Sequence, residues 1–460
     1  MYQIDFQKPV AVHFIGIGGI SMSGLAEVLL TKGFKISGSD LAESLLTDHL
    51  REAGVKFYKG QKASNITDDV DVVVYTAAVH EDNPELAEAV EKRIPILTRA
   101  ELLGQMMRNY PDAVAIAGTH GKTTTTSMVT EILLAAGEDP TISVGGILHS
   151  IGGNIRIGHS GCFVTEACEY TNSYHSFFPT IEVILNIRAD HLDFFKDLDD
   201  IRDSFHTFAK RLPDTGLLII NADIPNYKEL MGDLSCRLVT FALEAQEADY
   251  RAENIYYNEE GHGSFDVVYQ GETVAHLDLE VPGEHNVANA LAAVAAARAL
   301  GIGKEALERG LDGYRGTERR FEIKGELGGV TVVDDYAHHP DEIRVTLQTA
   351  RKLHKKKVWC VFQPHTYTRT KKLMGEFAAA LSLADEVVLA KIYPARETDT
   401  LGISSADLAA CLEKLGKKVH YFEAFDEIEN FLLQKLVPDE LLITMGAGDI
   451  VKVGENLLGR

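Results

Sequence analysis

An apolar run, Ala113 to Ala117, passes directly into Gly118-Thr-His-Gly-Lys-Thr-Thr124, and a helix is predicted to open at Lys122. No other stretch restricts the fold as much. A buried strand that enters a glycine turn and then a helix N-terminus is the unit from which parallel α/β sheets are built. It is also a phosphate cradle. The N–H groups of the turn and the positive helix end converge on anionic oxygens, the lysine reaches terminal phosphates, and the adjacent hydroxyl suits a divalent cation. The loop is shorter than the standard form: Ile116 stands where that pattern has its first glycine, and the glycine comes at Gly118. The four threonines from Thr123 to Thr126 are poor helix formers from which an ordinary strand-to-helix turn would gain nothing.

The same strand–turn–helix logic appears before and after this loop. Val10 to Ile15 reads as a strand, followed by a glycine-rich turn from Gly16 through Gly18, Gly19 and Ser21 to Gly24, a helix to about Lys32, and a strand from Phe34 that ends near Asp40. This is a dinucleotide-type fingerprint with serine in place of its third glycine. Strands Val70–Tyr75 and Ile94–Leu97 end in Thr76-Ala77-Ala78 and Thr98-Arg99-Ala100-Glu101, on the edge where doubly wound sheets bind ligands. Beyond the phosphate loop, the segment Gly145–Gly161, which contains Asn154, reads as a long glycine-rich loop. Strand Phe163–Glu166 ends on a carboxylate, and strand Glu182–Ile187 ends just before Asp190, His191 and Asp193. A helix over Val287–Leu300 carries Glu284, His285, Asn286 and Asn289 at its start, with Asn286 a candidate cap. Past Arg320 the pattern restarts, with strands Val330–Val333, Val358–Phe362, Glu386–Ala390 and Leu441–Thr444. The basic run Arg351–Lys357 reads as a solvated helix end.

At 460 residues the chain is long for one core, and about three domains are expected. A net charge of −23 argues against a nucleic-acid groove or an anionic membrane surface, though a small cluster of cations and N–H groups still binds nucleotides. The five cysteines form no C-x-x-C pair, so neither zinc nor a disulfide framework is indicated. With no signal-like or membrane-length apolar segment, a cytoplasmic protein is expected.

Taken together, the motifs resemble those of the Mur ligases along the whole chain. They are His13-Phe-Ile-Gly-Ile-Gly-Gly19, Gly118 to Thr124, Asn186-Ile-Arg-Ala-Asp-His-Leu-Asp193, His285-Asn-Val-Ala-Asn289, Arg320-Phe321, Asp334-Asp-Tyr-Ala-His-His-Pro340 and Gln363-Pro-His-Thr-Tyr-Thr-Arg-Thr370. The shortened phosphate loop is the usual one in that family. The resemblance implies an α/β protein of three domains: a Rossmann-like unit at 1–108 for a uridine nucleotide, a central P-loop ATPase-type parallel sheet at 109–320, and a Rossmann-like unit at 321–460. It is greatest to members that join L-alanine to the lactyl carboxylate of UDP-N-acetylmuramate, using ATP and Mg²⁺ and passing through an acyl phosphate. A sibling that recycles muramyl tripeptide is the alternative, and the segment Asn186–Asp193 favours the alanine ligase.

By the same resemblance, Lys122, Glu166, His191 and Arg369 are the expected catalytic residues, and Thr123 or Thr124, Glu166 and His191 hold the metal. ATP is expected to meet Gly118, Thr119, His120, Gly121, Lys122, Thr123, Thr124, His285, Asn286, Asn289, Arg320, Asp335 and His338. The muramoyl nucleotide is expected at Gly16, Gly18, Gly19, Asp40, Thr76, Ala77, Arg99 and Asn154. Two positions depart from the family pattern. Cys168 stands in Glu166-Ala-Cys-Glu-Tyr-Thr171, where many relatives carry an acidic residue, and Thr366 replaces an arginine of some relatives, leaving Arg369 to hold the amino-acid carboxylate. A dehydrogenase reading of Gly16–Gly24 gives Lys122, Glu166 and His191 no task, and a non-catalytic nucleotide-binding regulator has no need of the third domain. Oligomeric state is left open between monomer and weak dimer.

Overall fold

The computed structural model describes residues 2–191, 194–395 and 397–460, so Leu192 and Asp193, the end of the Asn186–Asp193 motif, lie outside the described residues. The chain divides into two compact units. One comprises Met1–Arg251, Val268–Ala275 and Ala288–Gly310, and the other Ala252–Val267, His276–Val287 and Leu311–Arg460.

In the first unit, β1 (Ala11–Ile15), β2 (Lys35–Asp40), β3 (Lys56–Lys59), β4 (Val72–Tyr75) and β5 (Ile96–Thr98) form a parallel sheet in the order β3-β2-β1-β4-β5. The order reverses between β1 and β4, and at such a switch point the carboxyl ends of the strands open a crevice. Gly16 and Thr76, which follow β1 and β4, border it: a Cβ on Gly16 would come within 2.7 Å of Thr76 Cγ2.

The second sheet is built from β6 (Asp112–Ala117), β7 (Thr141–Leu148), β8 (Gly153–Arg156), β9 (Cys162–Ala167), β10 (Ile181–Ile184), β11 (Leu217–Asn221), β12 (Arg237–Ala242), β13 (Tyr250–Tyr257), β14 (His262–Tyr269) and β15 (Glu272–Pro282). Their order is β15-β14-β13-β12-β11-β10-β6-β9-β7-β8. Strand β6 lies between β9 and β10, parallel to both, so Ala117, Glu166 and Ile184 end on one edge. The apolar runs that announced these strands are buried on both faces, as parallel strands require.

Two expectations are corrected here. The glycine-rich stretch Gly145–Gly161 is not simply a loop: β7 and β8 pair antiparallel through Ile142–Arg156, Ser143–Ile155 and Leu148–Gly153, with a break in register between Ser143 and Leu148. Glycines weaken a strand but suit a bulged one, and neighbouring strands supply hydrogen-bond partners that local sequence does not reveal. Ile155 of this hairpin packs on Gly24 of the helix Ile20–Thr31, so the strand bearing Asn154 lies against the helix that follows the first glycine loop. Asn286 is not a helix cap. The helix begins at Glu284, and Asn286 sits in its first turn, where Nδ2 donates to the Pro282 carbonyl at 2.8 Å.

In the second unit, β16 (Glu322–Leu327), β17 (Val330–Asp335), β18 (Val358–Phe362), β19 (Glu386–Leu389), β20 (Lys418–Tyr421) and β21 (Leu441–Met445) run in the order β16-β17-β21-β18-β19-β20. All pair parallel except β16, a hairpin partner of β17. The basic run splits in fate. Arg351 and Lys352 end the helix Pro340–Lys352 in solvent, whereas Lys357 lies 3.7 Å from the Trp359 ring centroid and pairs with Glu386.

One residue works against stability. Glu182, on β10, is fully buried, and among the described residues neither carboxylate oxygen has a hydrogen-bond partner. Burial pushes its carboxyl well above the ordinary value of 4.5. Below that value the folded and unfolded chains both keep the proton. As pH rises past it, the unfolded chain ionises while the folded one does not, and stability falls until the folded carboxyl ionises too. Glu182→Leu removes an unsatisfied buried group at similar volume. It is expected to raise stability by about 1–3 kcal/mol at neutral pH and to flatten the pH slope, as read from denaturant midpoints at pH 5 and 8.

Candidate active site

The phosphate loop owes its shape to two glycines. Gly118 has φ +144° and Gly121 +88°, and a Cβ on Gly118 would stand 2.9 Å from Leu185 Cβ. The segment after β10 locks the turn. Thr119 N–H donates to Asn186 O at 3.1 Å, His120 N–H donates to Asn186 Oδ1 at 2.9 Å, and Asn186 Nδ2 returns a bond to His120 O at 2.9 Å. Arg188 N–H donates to Thr119 Oγ1 at 2.9 Å. Gly121 caps the helix Lys122–Ala135 in left-handed conformation, and Asn289 Oδ1 lies 2.5 Å from where a Cβ on Gly121 would be. Asn289 thus lies on the loop.

Lys122 is folded back across the turn. Its ammonium donates to Gly118 O at 2.5 Å, Thr119 O at 3.0 Å and Glu169 Oε2 at 2.9 Å. Burial alone would lower its pKa, but the neighbouring Glu169, Cys168 and Glu166 more than reverse this, so the amine is held above its ordinary value and stays charged. Thr123 Oγ1 donates to Glu166 Oε2 at 3.1 Å, and Glu166 Oε1 accepts from Gly145 N–H at 2.5 Å. Thr124 follows, half-buried. His191 has φ +50°, uncommon for a residue with a side chain, and its Nε2 stands 4.0 Å from Glu169 Oε1 and 3.9 Å from Asp190 Oδ2 under the Tyr170 ring. Sequence reading quoted Glu169 and Asn186 without giving either a task. The signal was available in their place at the ends of β9 and β10, beside β6.

The first glycine loop is held from β2. Gly16 and Ile17 N–H groups donate to Ser39 O at 2.8 and 3.0 Å, and Gly18 N–H to Asp40 Oδ2 at 2.9 Å. Asp40, expected to meet a substrate hydroxyl, is turned here onto the loop itself. Gly19 caps the helix Ile20–Thr31. Arg99, at the start of the helix Arg99–Met107, donates to Ser21 Oγ at 3.1 Å, and burial lowers its pKa, though a guanidinium stays charged at any working pH. Ala77, next to Thr76, lines an open cavity of about 740 Å³ with Tyr75, Val79 and His80.

In the second unit Arg320, Asp335, His338 and Arg369 lie at or just beyond the carboxyl ends of its strands. Arg320 lies 5.5 Å from the Tyr336 ring between Arg319 and Phe321, both with positive φ. Asp335 ends β17 and accepts from Phe321 N–H at 2.9 Å and Ala337 N–H at 2.7 Å, and burial raises its pKa to about 6 against the lowering effect of Arg320. His338 Nδ1 is 3.3 Å from Glu342 Oε2, and its ring meets His365 edge-on at 5.8 Å. Arg369, on the short helix Tyr367–Lys372, has a buried Nη1 without a partner among the described residues, and so does His365 Nδ1. Burial, followed by the nearby charges of His338 and Arg369, pulls the His365 pKa down to about 4, so His365 is neutral at pH 7. His285, in the first turn of the helix Glu284–Ala299, packs on Gly283.

Three family models account for most of the chain: the Mur ligase family catalytic domain over residues 11–111, the Mur ligase middle domain over 116–297, and the Mur ligase glutamate ligase domain over 319–448. A UDP-N-acetylmuramate–L-alanine ligase of Lachnospira eligens is 59% identical over 458 residues, covering 100% of both chains. The chain belongs to the Mur ligase family. A further curated relative, the UDP-N-acetylmuramate–L-alanine ligase of Agathobacter rectalis, is 55% identical over 459 residues, again covering 100% of both chains. The solved structure of a UDP-N-acetylmuramate-alanine ligase from Thermotoga maritima matches this Mur ligase with a TM-score of 0.78 at 33% identity, covering 98% of each chain. A murein peptide ligase from Psychrobacter arcticus matches with a TM-score of 0.70 at 24% identity over 98% of each chain, a likeness of fold. As a Mur ligase the protein is an ATP-dependent, amide-forming enzyme. Among the described residues no helix is long and apolar enough to cross a membrane.

Proposed function

We propose that this Mur ligase joins L-alanine to the lactyl carboxylate of UDP-N-acetylmuramate at the expense of ATP, as a cytoplasmic step of peptidoglycan precursor synthesis. The observation that carries the reading is the full-length identity to ligases of that name together with the lysine-bearing phosphate loop locked against β10. The division of labour follows the sheets: residues 1–108 receive the uridine nucleotide, 109–320 the ATP, and 321–460 the amino acid. The recycling of a muramyl tripeptide is favoured only by likeness of fold.

The loop suits a triphosphate because Gly118 and Gly121 hold the tight, positive-φ turn that packs against Leu185 and Asn289 and because Lys122 is charged. Lys122 exchanges its bonds to Gly118 O, Thr119 O and Glu169 for phosphate oxygens, so the cation neutralises charge as the lactyl carboxylate attacks the γ-phosphorus and ADP departs. The amine of L-alanine then attacks the activated carbonyl and phosphate leaves. Positioning does most of the work, because both reactants must be held in line in a site that excludes water. The hydroxyl of Thr123 and the carboxylate of Glu166, 3.1 Å apart, are hard oxygen donors that suit Mg²⁺, with His191 the third candidate ligand. Mg²⁺ held there would supply charge neutralisation for the transferring phosphoryl group. Arg369 holds the carboxylate of L-alanine in this reading, supported by its unpartnered Nη1, and His365, neutral beside it, does not compete for that anion.

The test is ATP hydrolysis coupled to ligation. Phosphate release is expected only when UDP-N-acetylmuramate and L-alanine are both present. Turnover that instead requires a muramyl-linked tripeptide, or NAD reduction without ATP use, overturns the reading.

A further inference from the structure

We propose that Glu85, which contacts no expected ligand-binding residue, is a positioning residue for the first glycine loop. The inference rests on the reading of Gly16–Gly19 as the loop that receives the UDP substrate. Glu85 lies in the first turn of the helix Pro84–Glu91, is fully buried, and has no lysine or arginine partner among the described residues. Asn83 already caps that helix by accepting from Glu85 N–H at 2.9 Å, so the carboxylate is not needed to start it. Burying a carboxylate is costly unless its oxygens are satisfied, and here they meet Ser39 at the end of β2 and Asn65 between β3 and β4, with His13 of β1 nearby. Ser39 Oγ donates to Oε2 at 2.6 Å, Asn65 Nδ2 donates to Oε1 at 2.5 Å, and the buried His13 ring, anchored to Ser37 Oγ at 2.9 Å, places Nε2 3.7 Å from Oε1.

The consequence passes through one residue. The carbonyl of Ser39 accepts both Gly16 and Ile17 N–H groups, and Asp40 beside it accepts from Gly18 N–H. The conformation of the loop is therefore set by where Ser39 stands, and Ser39 is tied by its hydroxyl to Glu85. A glutamine in place of Glu85 retains the volume but has one acceptor oxygen. Either that oxygen serves Ser39 and the amide NH₂ faces the NH₂ of Asn65, or it serves Asn65 and the Ser39 hydroxyl must turn from donor to acceptor, so in neither orientation is the carboxylate's pair of acceptor bonds reproduced.

Isothermal titration of UDP-N-acetylmuramate and steady-state kinetics on the full chain test this. Glu85→Gln is expected to weaken binding of UDP-N-acetylmuramate about tenfold, with KM for ATP and for L-alanine unchanged and kcat at saturation within about twofold of wild type. Ser39→Ala, a milder change, should shift the same affinity in the same direction, and the double variant should lose no more than the larger single loss, because the two residues act through one bond. Unchanged affinity in Glu85→Gln with a lowered melting temperature, or a fall in kcat alone, overturns the proposal and leaves Glu85 a structural brace. Gly18→Val separates the layers of the argument. If it too leaves affinity for UDP-N-acetylmuramate intact, the reading of the loop fails; if it abolishes binding while Glu85→Gln and Ser39→Ala do not affect it, the loop reading stands and only the positioning role is lost.

Discussion

Lys122→Ala is expected to reduce acyl-phosphate formation by about 10³-fold, the scale on which removing a preorganised charge-stabilising donor acts. The methyl group reaches no phosphate, and the transferring phosphoryl group loses the ammonium's share of charge neutralisation. The substitution also strips Glu169, which is 2% exposed, of its ammonium partner. A buried carboxylate without a cation takes up a proton, so the variant should fold but with some loss of stability. Binding of UDP-N-acetylmuramate should survive, since Gly16–Gly19 belong to a different sheet. Rapid-quench measurement of ADP formation, paired with titration of the uridine nucleotide, separates the two effects. ADP formation near the wild-type rate would remove Lys122 from the chemistry. Lys122→Arg should not restore activity, because a planar fork does not replace a compact ammonium folded onto two carbonyl groups.

Arg369→Ala is expected to raise KM for L-alanine by roughly 30- to 1,000-fold, the equivalent of about 2–4 kcal/mol for losing one partner of a desolvated charge pair. KM for ATP and ADP formation in the absence of the amino acid should stay near wild type. The guanidinium is the suitable anchor on two counts. Its Nη1 is buried without a partner among the described residues, and His365, which feels the Arg369 charge, is neutral. An equal rise in KM for ATP would assign Arg369 to the nucleotide instead, and no change in either would leave it to the fold. Kinetics with each substrate varied in turn decide between these outcomes.

Much of this protein was legible from local sequence because strand, turn and helix in parallel α/β folding are encoded within about 15 residues. Gly118 and Gly121 announced a turn that only glycine fits, and the apolar runs at β1, β6, β18 and β21 announced strands buried on both faces. The strand-end residues Glu166 and Asp335 were legible for the same reason, since parallel pairing places carboxyl ends on one edge whatever the length of the connection. Other features depended on partners distant in sequence. The glycines of β7 read as a loop because an extended bulged strand and a loop share composition, and only pairing with β8 distinguishes them. Asn286 read as a cap because the boundary of its helix is set by the turn at Gly283, and the helix starts at Glu284, three residues before the apolar pattern begins at Val287. Glu169 could not be recognised as the counter-ion of Lys122, 47 positions away, nor Glu85 as the support of Ser39, 46 positions away. Hydrogen bonds of a buried carboxylate are chosen by space, and sequence fixes only which carboxylates exist to be chosen.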